Sequence, residues 1–298
     1  MKTSSPGITD ITMGMLLTVA SGLCFVCVAI LVRWVGTDLS APQAAFIRYL
    51  FGTLMLAPIF LRLARSELRV NAPGMMIVRG VAHGLAVILW FFAMARIPMA
   101  EVTALGYLTP VVVTLAAAVF LGERLQARRI IAVIIGFIGV LVILRPGFQV
   151  LSIGQLAQLA TTPLFALSFI LTKKFTATDS NTVIVAVLSL VCTITLFVPA
   201  AFNWSPVSIR EYALLFMTAG FATLGHFTLT HAFRCAPIAA LQPVSFLQLV
   251  WATLLGVVLF GVAIDNFVVA GGAILVLSTS YIAYRESVIA KQETARSS

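Results

Sequence analysis

The chain has 298 residues, 61% of them hydrophobic and only 10% charged, with a mean hydropathy of +1.08. A water-soluble chain of this length needs far more polar surface, so the solvent around most of it is lipid. The net charge of +9 does not call for a nucleic-acid partner, because the basic residues lie in short loops between apolar runs, as in membrane topology signals.

Ten apolar runs of spanning length can be drawn, over about 12–35, 41–62, 73–95, 99–121, 128–146, 152–174, 180–200, 209–233, 237–260 and 265–285. Strict apolar–polar alternation is absent, which removes a β-barrel and leaves an all-α polytopic membrane protein. With the N-terminus placed in the cytoplasm, fourteen Lys and Arg fall on the inner side and four on the outer, with Arg48 inside a span. This bias predicts a cell inner membrane protein with both termini cytoplasmic. The first run carries no long basic leader and no small-residue cleavage site, and is read as a retained span.

In chain order, the first span carries Cys24 and Cys27, with no second Cys or His pair to complete a metal site; no metal and no cofactor are expected. Arg48, two turns into the second span, has two readings: a structural arginine bonded to backbone, or an outer-gate charge. The third span contains Gly80-Val-Ala-His-Gly84, whose glycines predict close approach of another helix. His83 within it either lines a cavity or is a neutral imidazole bonded to a neighbouring carbonyl; Trp90 lies seven residues on, near the same side.

Ile97-Pro98 turns the chain into the fourth span, where Glu101 sits near the outer end, followed by Tyr107 and Pro110. Pro110 leaves a carbonyl unpaired one turn earlier, near Gly106, and predicts a kink there. Tyr107 offers a flat apolar ring with one hydroxyl, suited to a partly apolar solute. In the sixth span Thr161-Thr162-Pro163 sets a second break beside hydroxyls; in the ninth, Gln242-Pro243 sets a third. Gln248 is costly in lipid and calls for a partner or a cavity, while Trp251 reads equally as a site residue or a packing or lipid-facing ring.

The hairpin FFAMARIPMAEVTALGYLTPVVVTLAAAVFLGER at 91–124 returns 139 residues later as HAFRCAPIAALQPVSFLQLVWATLLGVVLFG, Pro98 falling on Pro237. Gly154 likewise answers Gly14 and Phe165 answers Phe25, at an offset of 140. Because five spans are odd in number, the second copy enters the membrane from the opposite side. Residues 1–147 and 152–298 are therefore expected to be two inverted five-helix repeats, with the site at their interface.

The run from Phe91 through Pro98, Ala100 and Pro110 to Leu121-Gly122-Glu123-Arg124 resembles the signature of the EamA family, within the drug/metabolite transporter superfamily. The second copy departs from it, with Val262 in the place of the glutamate. Among relatives the chain is similar to bacterial amino-acid exporters. The resemblance implies export of amino acids or related metabolites by alternating access.

No phosphate loop, HExxH, GxSxG or metal-ligand array is present, so neither an ATP engine nor a membrane-embedded enzyme is indicated. The expected partners are a small-molecule solute and the lipid bilayer, with no obligate protein partner, a monomer sufficing. The candidate cavity residues are His83, Trp90, Tyr107, Thr162, Gln248 and Trp251, with Pro110, Pro163 and Pro243 as hinges. An aromatic lining with few fixed charges points to neutral, including aromatic, amino acids.

Overall fold

The computed structural model describes residues 8–65, 70–109, 111–112, 127–145, 150–236, 241, 244–245 and 247–297. Among them are eleven helices and no strand. In chain order these are α1 (Ile8–Val35), α2 (Ala41–Met55), α3 (Ala57–Ala64), α4 (Pro73–Met94), α5 (Met99–Gly106), α6 (Ala127–Leu144), α7 (Ile153–Phe175), α8 (Asn181–Phe202), α9 (Ile209–Cys235), α10 (Leu247–Phe260) and α11 (Asn266–Ser297).

Helix starts follow local chemistry. Ser40, Ser152, Ser180 and Ser208 each accept a backbone N–H of the first turn, in helices α2, α7, α8 and α9. Ser152 with Gln155, and Ser208 with Glu211, complete capping boxes. Pro42 and Pro73 occupy first-turn positions that need no donor.

Five helices are long and apolar enough to cross a membrane: α1 from Asp10, α4, α7, α8 and α9; α10 and parts of α6 and α11 are shorter apolar helices. The second expected span, 41–62, is divided. Helix α2 ends at Met55, Leu56 returns its N–H to Gly52, and α3 restarts at Ala57-Pro58, because Pro58 cannot donate to the preceding turn. The fourth expected span is interrupted where its kink was expected: α5 stops at Gly106, and the Tyr107 N–H tightens back to Ala104. Pro110, Pro243, Gln242 and Glu123-Arg124 lie outside the described residues. Helix α7 runs unbroken through Pro163, which is exposed on its surface.

The outside is apolar, with Val258, Leu277, Ile194, Leu224 and Leu141 all more than half exposed, as lipid permits and water does not. The most extensive helix contacts join residues before 147 to residues after 152: α1 with α9, α4 with α7, α6 with α11 and α2 with α8. Glycine permits the α6–α11 contact and a further one between α4 and α8. A Cβ at Gly271 would lie 2.5 Å from the Gly139 carbonyl oxygen, so α6 and α11 touch backbone to backbone. A Cβ at Gly80 would lie 2.4 Å from Val191, which brings α4 against α8 as the Gly80–Gly84 spacing predicts.

Candidate functional site

A file of rings runs between the two parts of the chain. Phe25 on α1 meets His226 on α9 edge-on at 5.2 Å, and His226 meets His83 on α4 at 5.2 Å. His83 meets Phe165 on α7 at 5.1 Å; Phe165 stacks on Phe169 one turn further at 6.2 Å, and Phe169 meets Phe233 at the end of α9. Each contact has the tilted, edge-on or offset geometry that ring quadrupoles favour. Helix packing explains the file: α1–α9 and α4–α7 are the two tightest pairs, and these rings stand in their seams.

The two imidazoles differ. His83 is buried and shares a 3.0 Å hydrogen bond with the Ser168 hydroxyl. His226 is half-buried, and its ring makes no hydrogen bond among the described residues. It is the open polar face of the file.

Behind the imidazoles lies a cationic layer. Arg48 stacks over Tyr49 at 3.8 Å, and Tyr49 stands edge-on to His83. Arg79 donates to the Ile184 carbonyl at 3.0 Å, while Cys192 donates to the Gly80 carbonyl. Arg48, Tyr49 and Arg79 are buried. Among the described residues, the Tyr49 hydroxyl and Arg79 Nε have no hydrogen-bond partner.

Toward the end where α4 finishes and α7 begins lies a polar stretch. Glu101 accepts from Gln155 Nε2 at 2.5 Å, joining α5 to α7. Gln158 and Thr162, four apart and so on one helix face, are buried with Gln158 Oε1 and Thr162 Oγ1 unbonded. Gln158 packs against Gly106, where a Cβ would make an ordinary contact with Gln158 Nε2 at 3.6 Å. The Tyr107 hydroxyl donates to the Ser245 carbonyl at 2.7 Å, tying α5 to the chain before α10. A cleft between Met99, Glu101, Thr253, Val257 and Asp265 encloses about 50 Å³, room for water rather than a metabolite.

Of the residues singled out from sequence, His83 stands in the ring file, and Thr162 and Tyr107 in the polar stretch. Trp90 is half-buried against Phe91 at 5.7 Å. Gln248 is half-buried, its Cβ facing Gly22 on α1. Trp251 is 40% exposed beside exposed Val250 and Leu254, away from the file. Sequence reasoning did not include His226, Ser168, Tyr49, Phe25, Phe165 or Gln158 in the site. The pairing of Phe25 with Phe165 at an offset of 140 was the available signal, because each of these rings touches one of the two histidines.

Residues 12–145 match the profile of the EamA-like transporter family. The chain is 26% identical to an S-adenosylmethionine uptake transporter of Rickettsia bellii over 85% of this chain and 87% of that one. It is 29% identical to a riboflavin transporter of Rhizobium johnstonii, covering 92% and 91% of the two chains. A pseudopaline exporter of Pseudomonas aeruginosa is 27% identical over 89% and 94%. A solved crystal structure superposes with a TM-score of 0.61 at 20% identity, over 92% of this chain and 98% of the other, a likeness of fold. The chain is thus similar to EamA-like transporters over residues 12–145, and along most of its length to transporters of several different small metabolites.

Proposed function

We propose that the protein is an alternating-access carrier that exports neutral amino acids, aromatic ones included, or closely related small metabolites across the cell inner membrane. The observation that carries this reading is the ring file of Phe25, His226, His83, Phe165 and Phe169 along the seam between the two parts of the chain. A flat or apolar side chain slides between such rings at little desolvation cost. The unbonded Gln158 and Thr162 atoms and the open His226 ring offer hydrogen bonds to a polar head group. Two relatives' named cargoes, S-adenosylmethionine and riboflavin, both carry a flat ring system, in keeping with that lining.

In this reading ten spans form two inverted repeats, 1–147 and 152–298, that rock about the seam. Paired contacts support the inversion. Arg33 donates to the carbonyls of Met94 and Ile97, and Lys173, 140 positions later, donates to those of Phe233 and Ala236, each 139 later. Thr53 and Thr193, 140 apart, meet hydroxyl to hydroxyl at 2.8 Å, as two residues on a pseudo-twofold axis would. The fourteen-to-four distribution of basic residues supports cytoplasmic termini, and the likeness to a pseudopaline exporter supports the direction.

The test is counterflow of labelled tryptophan and leucine in proteoliposomes holding the purified protein. Saturable exchange of both is expected, along with lower retention of labelled tryptophan by cells that overproduce the protein. Exchange of riboflavin or S-adenosylmethionine without exchange of either amino acid would reassign the cargo.

A further inference from the structure

The ring file has an unbalanced charge beside it. Arg48 and Arg79 are 6% and 3% exposed, and among the described residues neither forms an ion pair. Arg79 satisfies one nitrogen on the Ile184 carbonyl and leaves Nε unbonded; Arg48 rests on the Tyr49 ring. Arg48 stacks on Tyr49, Tyr49 stands edge-on to His83, and His83 meets His226. The buried or bonded carboxylates that the structure describes are engaged elsewhere. Glu101 is held by Gln155, Asp179 by Asn71 and Thr178, and Asp265 by Arg145. Two buried cations with no counter-ion among the described residues are costly in a membrane, and the structure keeps them behind the ring file, Arg48 on Tyr49 and Arg79 one turn before His83 on α4.

We infer that the carried solute brings the missing anion: its carboxylate is seated on the open ring of His226, in the positive potential of Arg48 and Arg79, with its side chain between Phe25 and Phe165. This deepens the proposed function and rests on reading the ring file as the solute path. An imidazole N–H is one direct donor, and the buried Tyr49 hydroxyl is a second group with no partner among the described residues. That set matches a singly charged carboxylate. A phosphate carries more charge and more acceptor oxygens, and its sites present several convergent N–H donors.

Purified full-length protein should therefore tell an acid from its uncharged isostere. The measurement is thermal unfolding with 3-phenylpropionate, 3-phenylpropanamide and 3-phenylpropylamine, which share ring and chain length, titrated to give a Kd from the stabilisation. The acid is expected to bind about tenfold or more tightly than the amide, the amine more weakly still. In Arg79→Gln and in His226→Ala the advantage of the acid over the amide should fall to about twofold or less. An amide or amine that binds as well as the acid in the wild type overturns the inference, as does binding of none of the three. The wild-type comparison decides even if a variant fails to fold. Acid selectivity without tryptophan exchange keeps this inference and moves the cargo to another carboxylate. Tryptophan exchange without acid selectivity keeps the carrier and removes the seat.

Discussion

The ends of the helices and the centre of the molecule treat the 139–140-residue correspondence in the sequence in opposite ways. At one end Arg33 closes the C-terminus of α4; at the other Lys173, its counterpart at an offset of 140, closes the C-terminus of α9. Ser40 and Ser180 cap α2 and α8 in the same way, again 140 apart. Gly14 sits against Ala236, and Gly154 against Ile97. In the centre the correspondence stops: His83 falls on Ala222, His226 on Val87, Arg79 on Thr218 and Arg48 on Leu188. Helix ends pose the same problem in both copies, unpaired carbonyls and amides, and have the same solution. Under the proposed function, a site for an asymmetric solute has no need of symmetry. Only the aromatic walls, Phe25 and Phe165, are kept in both copies.

The largest expected effect lies at the periphery. Gly271→Leu forces a side chain into the Gly139 carbonyl and Ile143, and should cost about 3 kcal/mol or more of stability, read as loss of monodisperse protein after purification. A variant that purifies and unfolds like the wild type would mean that α6 and α11 are not in backbone contact. Next come the two basic caps. Arg33→Gln and Lys173→Gln each remove a charged donor from two carbonyls and should each destabilise by about 1.5–3 kcal/mol, by similar amounts, in denaturant or thermal unfolding. Losses that differ by more than about 1 kcal/mol would break the equivalence of the two ends. The smallest effect is on the axis itself: a double-mutant cycle of Thr53→Val and Thr193→Val should return a coupling of about 0.6 kcal/mol. Strict additivity would take that contact out of the account.

Much of the frame was legible in the chain, because lipid imposes its pattern directly. The apolar run at 73–95 is α4, the Gly80–Gly84 spacing is its contact with α8, and the proline at 110 is answered by the stop of α5 at Gly106. The division of 41–62 at Leu56 was missed because Pro58 sits in an unbroken apolar stretch, where hydropathy carries no signal of a broken hydrogen-bond ladder. The site was legible only in part. His83 announces itself as an ionisable group in a span, whereas its contact with His226 depends on how α4 and α9 are rotated, which periodicity does not fix. Arg48 lies in a different span from His83, and only the fold brings it, through the Tyr49 ring, to the ring file.

The central claim is that solute passes along the ring file rather than over the exposed face of the bundle. Uptake of labelled tryptophan into proteoliposomes should be compared for the wild type, Phe165→Ala, His226→Ala and Trp251→Ala. The account predicts about a twofold to tenfold loss in the first two variants, the loss of one ring contact with the solute each. Wild-type rates are expected in Trp251→Ala, whose ring lies on the exposed face of α10. Full transport by Phe165→Ala and His226→Ala with loss in Trp251→Ala would contradict it and move the path to α10.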